Sequence, residues 1–158
     1  MTPHQLRSLQ VLRQLREQRA AVQKIAQRRE CLRTEEQLTM ARQRLHLQRE
    51  QLARKTRQAY GALVEGMSAG DWQAAQWHLE GEVDRQLQLQ HQADDASRTF
   101  DEQSQTYETL RTQHIARQRQ CEAWDKLLEG RQRDEQCAAE QTEDADDALL
   151  TFADMEPR

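Results

Sequence analysis

The sequence is poor in glycine, proline, aromatic and apolar residues. Its 158 residues include 5 Gly and 2 Pro, 4% are aromatic and 36% are hydrophobic, with a mean hydropathy of −1.08. A globular domain usually holds roughly 45–50% apolar residues. The composition therefore argues against a compact enzyme with a buried pocket, and the scarcity of glycine and proline argues against a disordered chain.

Long apolar runs are also missing. No stretch approaches the roughly 18 apolar residues that a transmembrane helix needs, so we expect no direct membrane insertion. The first ten residues lack the apolar core of a secretory signal. The three cysteines have no spacing typical of a metal site. These absences together predict a cytoplasmic protein in a reducing compartment.

The residues that are abundant favour helices. Gln, with 25 copies, and Arg, with 20, are both good helix formers. The two halves of the sequence carry opposite net charge. Residues 1–60 hold 14 basic and 5 acidic residues, whereas residues 61–158 hold 9 basic and 22 acidic ones. The net charges, +9 and −13, predict a basic helix lying beside an acidic one.

Three glycines within ten residues mark one turn between the two helices. Gly66 or Gly70 is suited to end the first helix, and Ser68 or Asp71 to cap the second. We predict an all-α fold, a long antiparallel two-helix coiled-coil hairpin forming a single domain over residues 1–158. Its first helix covers about 4–64, the turn 65–71 and the second helix 72–140, followed by an acidic, partly disordered tail over 141–158.

Seven-residue spacing supports the coiled coil. The line in the second helix comprises Leu79, Gln86, Ala93, Phe100, Tyr107, His114, Cys121 and Leu128. In the first helix it comprises Leu38, Leu45, Leu52 and Ala59. Upstream, Leu15, Val22, Ile25 and Leu32 hold a different phase, and the step of six from Leu32 to Leu38 predicts either a slip that locally changes the supercoil or a seam that drifts as in a straight helix. With the turn centred near Ser68, Leu12 is expected opposite Trp124.

Chemical motifs are absent from the sequence. It has no glycine-rich phosphate loop, Ser68 has no histidine and aspartate arranged around it, and five histidines are scattered at positions 4, 46, 78, 91 and 114. We therefore expect no enzymatic activity, no cofactor, no metal and no small-molecule substrate.

The sequence pattern leaves two functions open, a nucleic-acid-binding arm and a homodimeric scaffold or tether. A nucleic-acid-binding arm would use the arginines of the first helix, namely Arg7, Arg13, Arg16, Arg19, Arg28, Arg29 and Arg33. The acidic second helix and a pI of about 5.8 argue against it. A homodimeric scaffold or tether is the other alternative, because the heptads do not distinguish self-pairing from pairing with another copy. Near the turn, Met67, Trp72 and Trp77 either close the turn or form a docking patch.

Two stretches resemble a known family. The opening run Leu6-Arg-Ser-Leu-Gln-Val-Leu-Arg-Gln-Leu-Arg-Glu-Gln-Arg-Ala20 is similar to the start of YscO-type proteins of bacterial type III secretion systems. The distal run Cys121-Glu-Ala-Trp-Asp-Lys-Leu-Leu-Glu-Gly-Arg131, followed by an acidic tail, resembles their closing helix. The length, the Gln/Arg/Glu-rich coil and the Trp after a mid-chain turn add to this resemblance.

The resemblance to YscO-type proteins and their flagellar FliJ-type relatives implies a function. Such proteins are central stalks between the hexameric export ATPase and the export gate, and they bind secretion chaperones. By this resemblance the ATPase-side end comprises Leu6, Arg13, Arg16, Arg19, Trp124, Lys126 and Arg131. The tip side, facing the export gate or chaperones, comprises Met67, Trp72 and Trp77. The implied location is the bacterial cytoplasm, peripheral to the inner membrane at the secretion apparatus.

Overall fold

The structure, a computed structural model, consists of two long helices. It describes the backbone of residues 3–153 and the side chains of residues 5–145. Helix α1 spans Pro3–Val64 and helix α2 spans Ala69–Ala153. The described residues are 97% helical without a strand, which confirms the all-α prediction. Neither helix, over the part described, has a stretch long and apolar enough to cross a membrane.

The end of α1 is set by Gly66, which has a φ of 101°. The Gly66 N–H donates to the Leu63 carbonyl at 3.2 Å, and the Met67 N–H donates to the Ala62 carbonyl at 3.1 Å. This pair of bonds is the Schellman motif, in which a left-handed residue satisfies the last carbonyls of a helix. Of the two predicted glycines, Gly66 therefore ends α1, while Gly70 lies within α2.

The start of α2 is capped by Ser68. Its Oγ accepts a hydrogen bond from the Asp71 N–H at 3.2 Å, and its carbonyl accepts one from the Trp72 N–H at 3.0 Å. This cap satisfies N–H groups that have no partner within the first helical turn, so α2 begins at Ala69, earlier than the predicted residue 72. The helix also continues to Ala153, past the predicted end at residue 140. Residues 141–153 of the predicted tail are thus helical, and residues 154–158 lie outside the described residues.

The chain divides into two compact units. The terminal unit comprises Met1–Val22 and Arg111–Arg158, and the turn unit comprises Gln23–Leu110. Within the turn unit the helices make contact through Gln27 and Gln103, whose side chains lie 2.6 Å apart from Nε2 to Oε1. The buried residues of this unit are Thr34, Leu38, Leu45, Gln48 and Ala93.

The predicted heptad line of α2 agrees with the burial pattern. Its five members from Leu79 to Tyr107 in the turn unit, and its three members from His114 to Leu128 in the terminal unit, are all buried or half-buried. Leu38 and Leu45 of α1 are each 6% exposed, and Leu52 and Ala59 are half-buried. From Leu38 towards the turn, the apolar residues therefore do mark the covered face.

The prediction for the first half of α1 is wrong. Leu15, Val22, Ile25 and Leu32 are 45%, 67%, 50% and 50% exposed. The covered residues are Leu6, Leu9, Gln10, Arg13, Glu17, Ala20 and Ala21 in the terminal unit, and Lys24, Gln27, Cys31 and Thr34 in the turn unit. Positions 10, 13, 17, 20, 24, 27, 31 and 34 recur at alternate steps of three and four, and Leu38 follows at the next step of four, so no slip occurs between Leu32 and Leu38. The prediction followed the apolar side chains, whereas the covered line of this segment is mostly polar.

Candidate functional site

The terminal unit brings together several of the residues predicted at the ATPase-side end. Leu6 is buried, with 8% of its surface exposed. The Arg13 guanidinium carbon lies 4.5 Å from the centroid of the Trp124 ring, a cation–π contact between α1 and α2. The predicted opposition of Leu12 to Trp124 is wrong, because Arg13 takes this place and Leu12 is 50% exposed.

Polar side chains hold the two helices of the terminal unit together. Gln10 Nε2 donates to Asp125 Oδ1 at 2.7 Å. His114 Nε2 lies 2.9 Å from Glu17 Oε1, and the His114 side chain is 10% exposed. Burial raises the pKa of the Cys121 thiol, and the nearby carboxylates Glu17 and Asp125 add to this effect. The covered face of this unit is thus largely a network of directional contacts.

The remaining cations of the predicted end lie on the surface. Arg16, Arg19, Lys126 and Arg131 are all exposed. Arg131 Nε donates to Glu135 Oε1 of the next turn at 3.2 Å. Exposed guanidinium groups bind carboxylates through paired N–H donors. This surface is therefore suited to a partner that presents acidic side chains.

A shallow groove of about 190 Å³ lies between α1 and α2 of the terminal unit. Its lining includes Leu6, Arg7, Leu128 and Glu135. Sites for small molecules usually occupy roughly 300–1,000 Å³. The groove is therefore sized for a side chain of a partner rather than for a free ligand.

An exposed apolar line on α1 is the feature that sequence reasoning missed. Val11, Leu15 and Val22, here called the outer stripe, are 54%, 45% and 67% exposed. Positions four and seven apart fall on one face of a helix, and this face lies away from the covered residues Arg13, Glu17 and Ala20. The signal was present in the sequence as the phase difference from Leu38, but it indicates a second face rather than a slip.

The two tryptophans of the predicted tip side differ in their surroundings. The Trp72 ring contacts the Tyr60 ring, with centroids 5.4 Å apart and planes inclined by 60°. Met67 is half-buried. Trp77, in contrast, is 68% exposed. Trp72 thus packs locally against α1, whereas Trp77 offers a large aromatic surface.

An acidic site in the turn unit is satisfied within the chain. Glu82 accepts a hydrogen bond from Lys55, and Gln48 Nε2 donates to its other carboxylate oxygen at 2.5 Å. The hydrogen bond from Lys55, and then that from Gln48, lower the pKa of Glu82 below its usual value. Glu82 therefore acts as a structural contact between α2 and α1.

No family model, curated protein or solved structure matches the chain. Among the residues that the structure describes, no three His, Cys, Asp or Glu side chains are grouped to hold a metal ion. The surfaces of the two units are therefore the features that indicate a function.

Proposed function

We propose that the chain is an antiparallel two-helix coiled-coil hairpin that acts as a central stalk and adaptor in bacterial type III secretion. In this role it links the hexameric export ATPase to the export gate, binds secretion chaperones and promotes protein export. It works without enzymatic activity or cofactor, in the cytoplasm at the inner-membrane face of the secretion apparatus.

The contacts within each unit support the antiparallel arrangement. In the terminal unit Gln10 contacts Asp125 and Glu17 contacts His114, so numbers rise along α1 as they fall along α2. The turn unit follows the same rule. Its contacts join Gln27 to Gln103, Gln48 to Glu82 and Tyr60 to Trp72.

The observation that carries the proposal is the surface of the terminal unit. In this unit the contact between α1 and α2 covers one narrow line of side chains, while Arg16, Arg19 and the outer stripe stay exposed. Charged and apolar groups held at fixed spacing on a helix suit insertion into a ring or groove of a partner protein. The resemblance of Leu6–Ala20 and Cys121–Arg131 to YscO-type proteins names the ATPase as that partner.

Binding of the ATPase tests the proposal. The export ATPase of the same system should be retained by the immobilised chain, and the triple variant Arg13→Glu, Arg16→Glu, Arg19→Glu should retain at least about tenfold less. The matched control is Arg42→Glu, Arg44→Glu, Arg54→Glu, which makes the same charge change on exposed arginines of the turn unit. No binding by the unaltered chain, or equal losses in both variants, would contradict the stalk role.

Trp77 provides the test at the tip side. A large exposed aromatic residue is a common anchor of protein interfaces. Trp77→Ala should therefore weaken binding of the export gate protein or of a secretion chaperone while leaving ATPase binding unchanged. Trp72→Ala serves as the comparison, since it removes the contact with Tyr60 and is expected to loosen the turn. Unchanged gate and chaperone binding by the Trp77 variant would remove this residue from the proposed tip surface.

A further inference from the structure

The last third of α2 in the terminal unit is a helix without a covered face. Every described side chain from Arg131 to Ala145 is exposed. The heptad spacing of α2 nevertheless continues there, through Glu135, Ala138, Thr142 and Ala145. We call residues 134–153 the α2 extension. Its seven acidic and zero basic residues give it a net charge of −7.

The outer stripe of α1 has the opposite character. Residues 5–22 hold four arginines and one glutamate, a net charge of +3. Arg7, Arg16 and Arg19 of this segment are exposed, as are the apolar side chains of the outer stripe. The same unit thus presents an acidic helix with small residues at its heptad positions and a basic helix with large apolar ones.

We propose that the α2 extension of one copy covers the outer stripe of a second copy, and the reverse, in a two-fold symmetric dimer. Opposite charges attract the two surfaces, and the alanines at positions 138 and 145 allow the Val and Leu side chains to approach closely. Because each copy supplies both surfaces, one symmetric contact satisfies both at once. The proposal does not rest on the role in secretion, but Arg16, Arg19 and the outer stripe serve both contacts, so the dimer and the ATPase complex exclude each other.

The contacts within the terminal unit fix how such a dimer is built. Gln10 contacts Asp125, and the groove that Leu6 lines also includes Glu135, so α2 runs on beyond the first residues of α1. With the α1 helices of two copies meeting end to end at the two-fold axis, each extension lies parallel to the α1 of its partner. Twenty helical residues span roughly 30 Å, whereas Val11 to Val22 span roughly 17 Å. The extension is therefore long enough to cover the whole outer stripe.

Charge-reversal substitutions on each of the two surfaces test the dimer. At micromolar concentration the unaltered chain should have twice its mass of 18.6 kDa by light scattering. One variant carries Arg7→Glu, Arg16→Glu and Arg19→Glu, and the other carries Glu140→Lys, Glu143→Lys and Asp144→Lys. Each variant alone brings like charges together and should dimerise at least about tenfold more weakly. An equimolar mixture restores both attractions and should form a dimer containing one copy of each.

Controls separate this contact from other modes of association. The variant Arg42→Glu, Arg44→Glu, Arg54→Glu alters charge equally in the turn unit and should dimerise like the unaltered chain. Added salt should weaken the unaltered dimer, because the attracting charges are exposed. A monomer throughout, a dimer that survives in both variants alone, or a mixture that stays monomeric would each overturn the proposal. ATPase binding takes no part in the measurement, so the outcome is independent of the stalk test.

Discussion

The turn unit and the terminal unit are both pairs of long helices, but different side chains join them. In the turn unit the apolar residues Leu38, Leu45 and Ala93 are each 6% exposed, and the polar residues Thr34 and Gln48 are buried beside them. In the terminal unit the buried set is Leu6, Ala20 and the polar His114. Burial of apolar surface stabilises the folded protein by about 25 cal/mol per Å² and requires no particular orientation of the side chains. A polar contact, in contrast, replaces hydrogen bonds to water and requires a particular orientation. Among the described residues, the turn unit thus buries apolar side chains of both helices, whereas the one buried residue that α2 supplies to the terminal unit is polar.

The placement of the apolar residues of α1 explains part of this difference. In the terminal unit Val11, Leu15 and Val22 lie on the face of α1 away from the covered residues and stay exposed. Exposed apolar groups with charged neighbours are typical of docking surfaces. In this part of α1 the large apolar residues thus lie on the exposed face, whereas Leu38 and Leu45 lie on the covered face. The following variants test the comparison, beginning with the largest effect.

Removal of a buried leucine should affect the turn unit most. Leu38→Ala is expected to lower the free energy of unfolding by about 2–3 kcal/mol, through lost burial and the cavity left behind. Leu32→Ala is the matched control, because Leu32 lies six residues before Leu38 on the same helix and is 50% exposed. It should change stability by less than about 1 kcal/mol. Urea unfolding followed by helical circular dichroism measures both, and equal losses would contradict the assignment of the covered face.

This pair of leucines also shows what the sequence could predict. Heptad spacing in α2 and in α1 beyond Leu38 identified the covered line, because apolar residues occupy it there. Before Leu38 the covered positions hold Gln27, Thr34 and similar polar residues, and no hydrophobic pattern marks them. Only continuation of the three–four spacing from Leu38 backwards would have found them. The turn was predictable because Gly66 and Ser68 have strong local preferences, which do not depend on packing.

Removal of the cation–π contact should affect the terminal unit less. Arg13→Ala is expected to lower the free energy of unfolding by about 1 kcal/mol. It removes the cation–π contact with Trp124 and the packing of the aliphatic part of the Arg13 side chain. Arg16→Ala, on the exposed side of the same turn, should be neutral within about 0.5 kcal/mol. A double-mutant cycle with Trp124→Leu in urea unfolding measures the coupling. Coupling indistinguishable from zero would mean that the ring and the guanidinium group do not stabilise each other.

Acid should weaken the turn unit through Glu82. Its pKa is lowered in the folded protein, so the stabilisation from its contacts with Lys55 and Gln48 is present above the unfolded value near 4.5. The stabilisation is lost as the pH falls through the folded pKa. Glu82→Gln should therefore be less stable than the unaltered chain at neutral pH, and the difference should shrink in acid. Glu80→Gln, a change of an exposed neighbour, is the control, and a difference independent of pH would refute the role of the Glu82 charge.

The smallest expected effect is a difference in the rate of cysteine alkylation within the terminal unit. Cys121 is half-buried in the terminal unit and its pKa is raised, so little reactive thiolate forms near neutral pH, whereas Cys137 is exposed. Mass spectrometry of the native chain should therefore show Cys137 modified before Cys121, with the order lost in urea. Leu6→Ala should speed modification of Cys121 by loosening the terminal unit, and Leu45→Ala, a change in the turn unit, should speed it less. Equal acceleration by both variants would mean that the two units open together, and the difference in their buried residues would then have no effect on local stability.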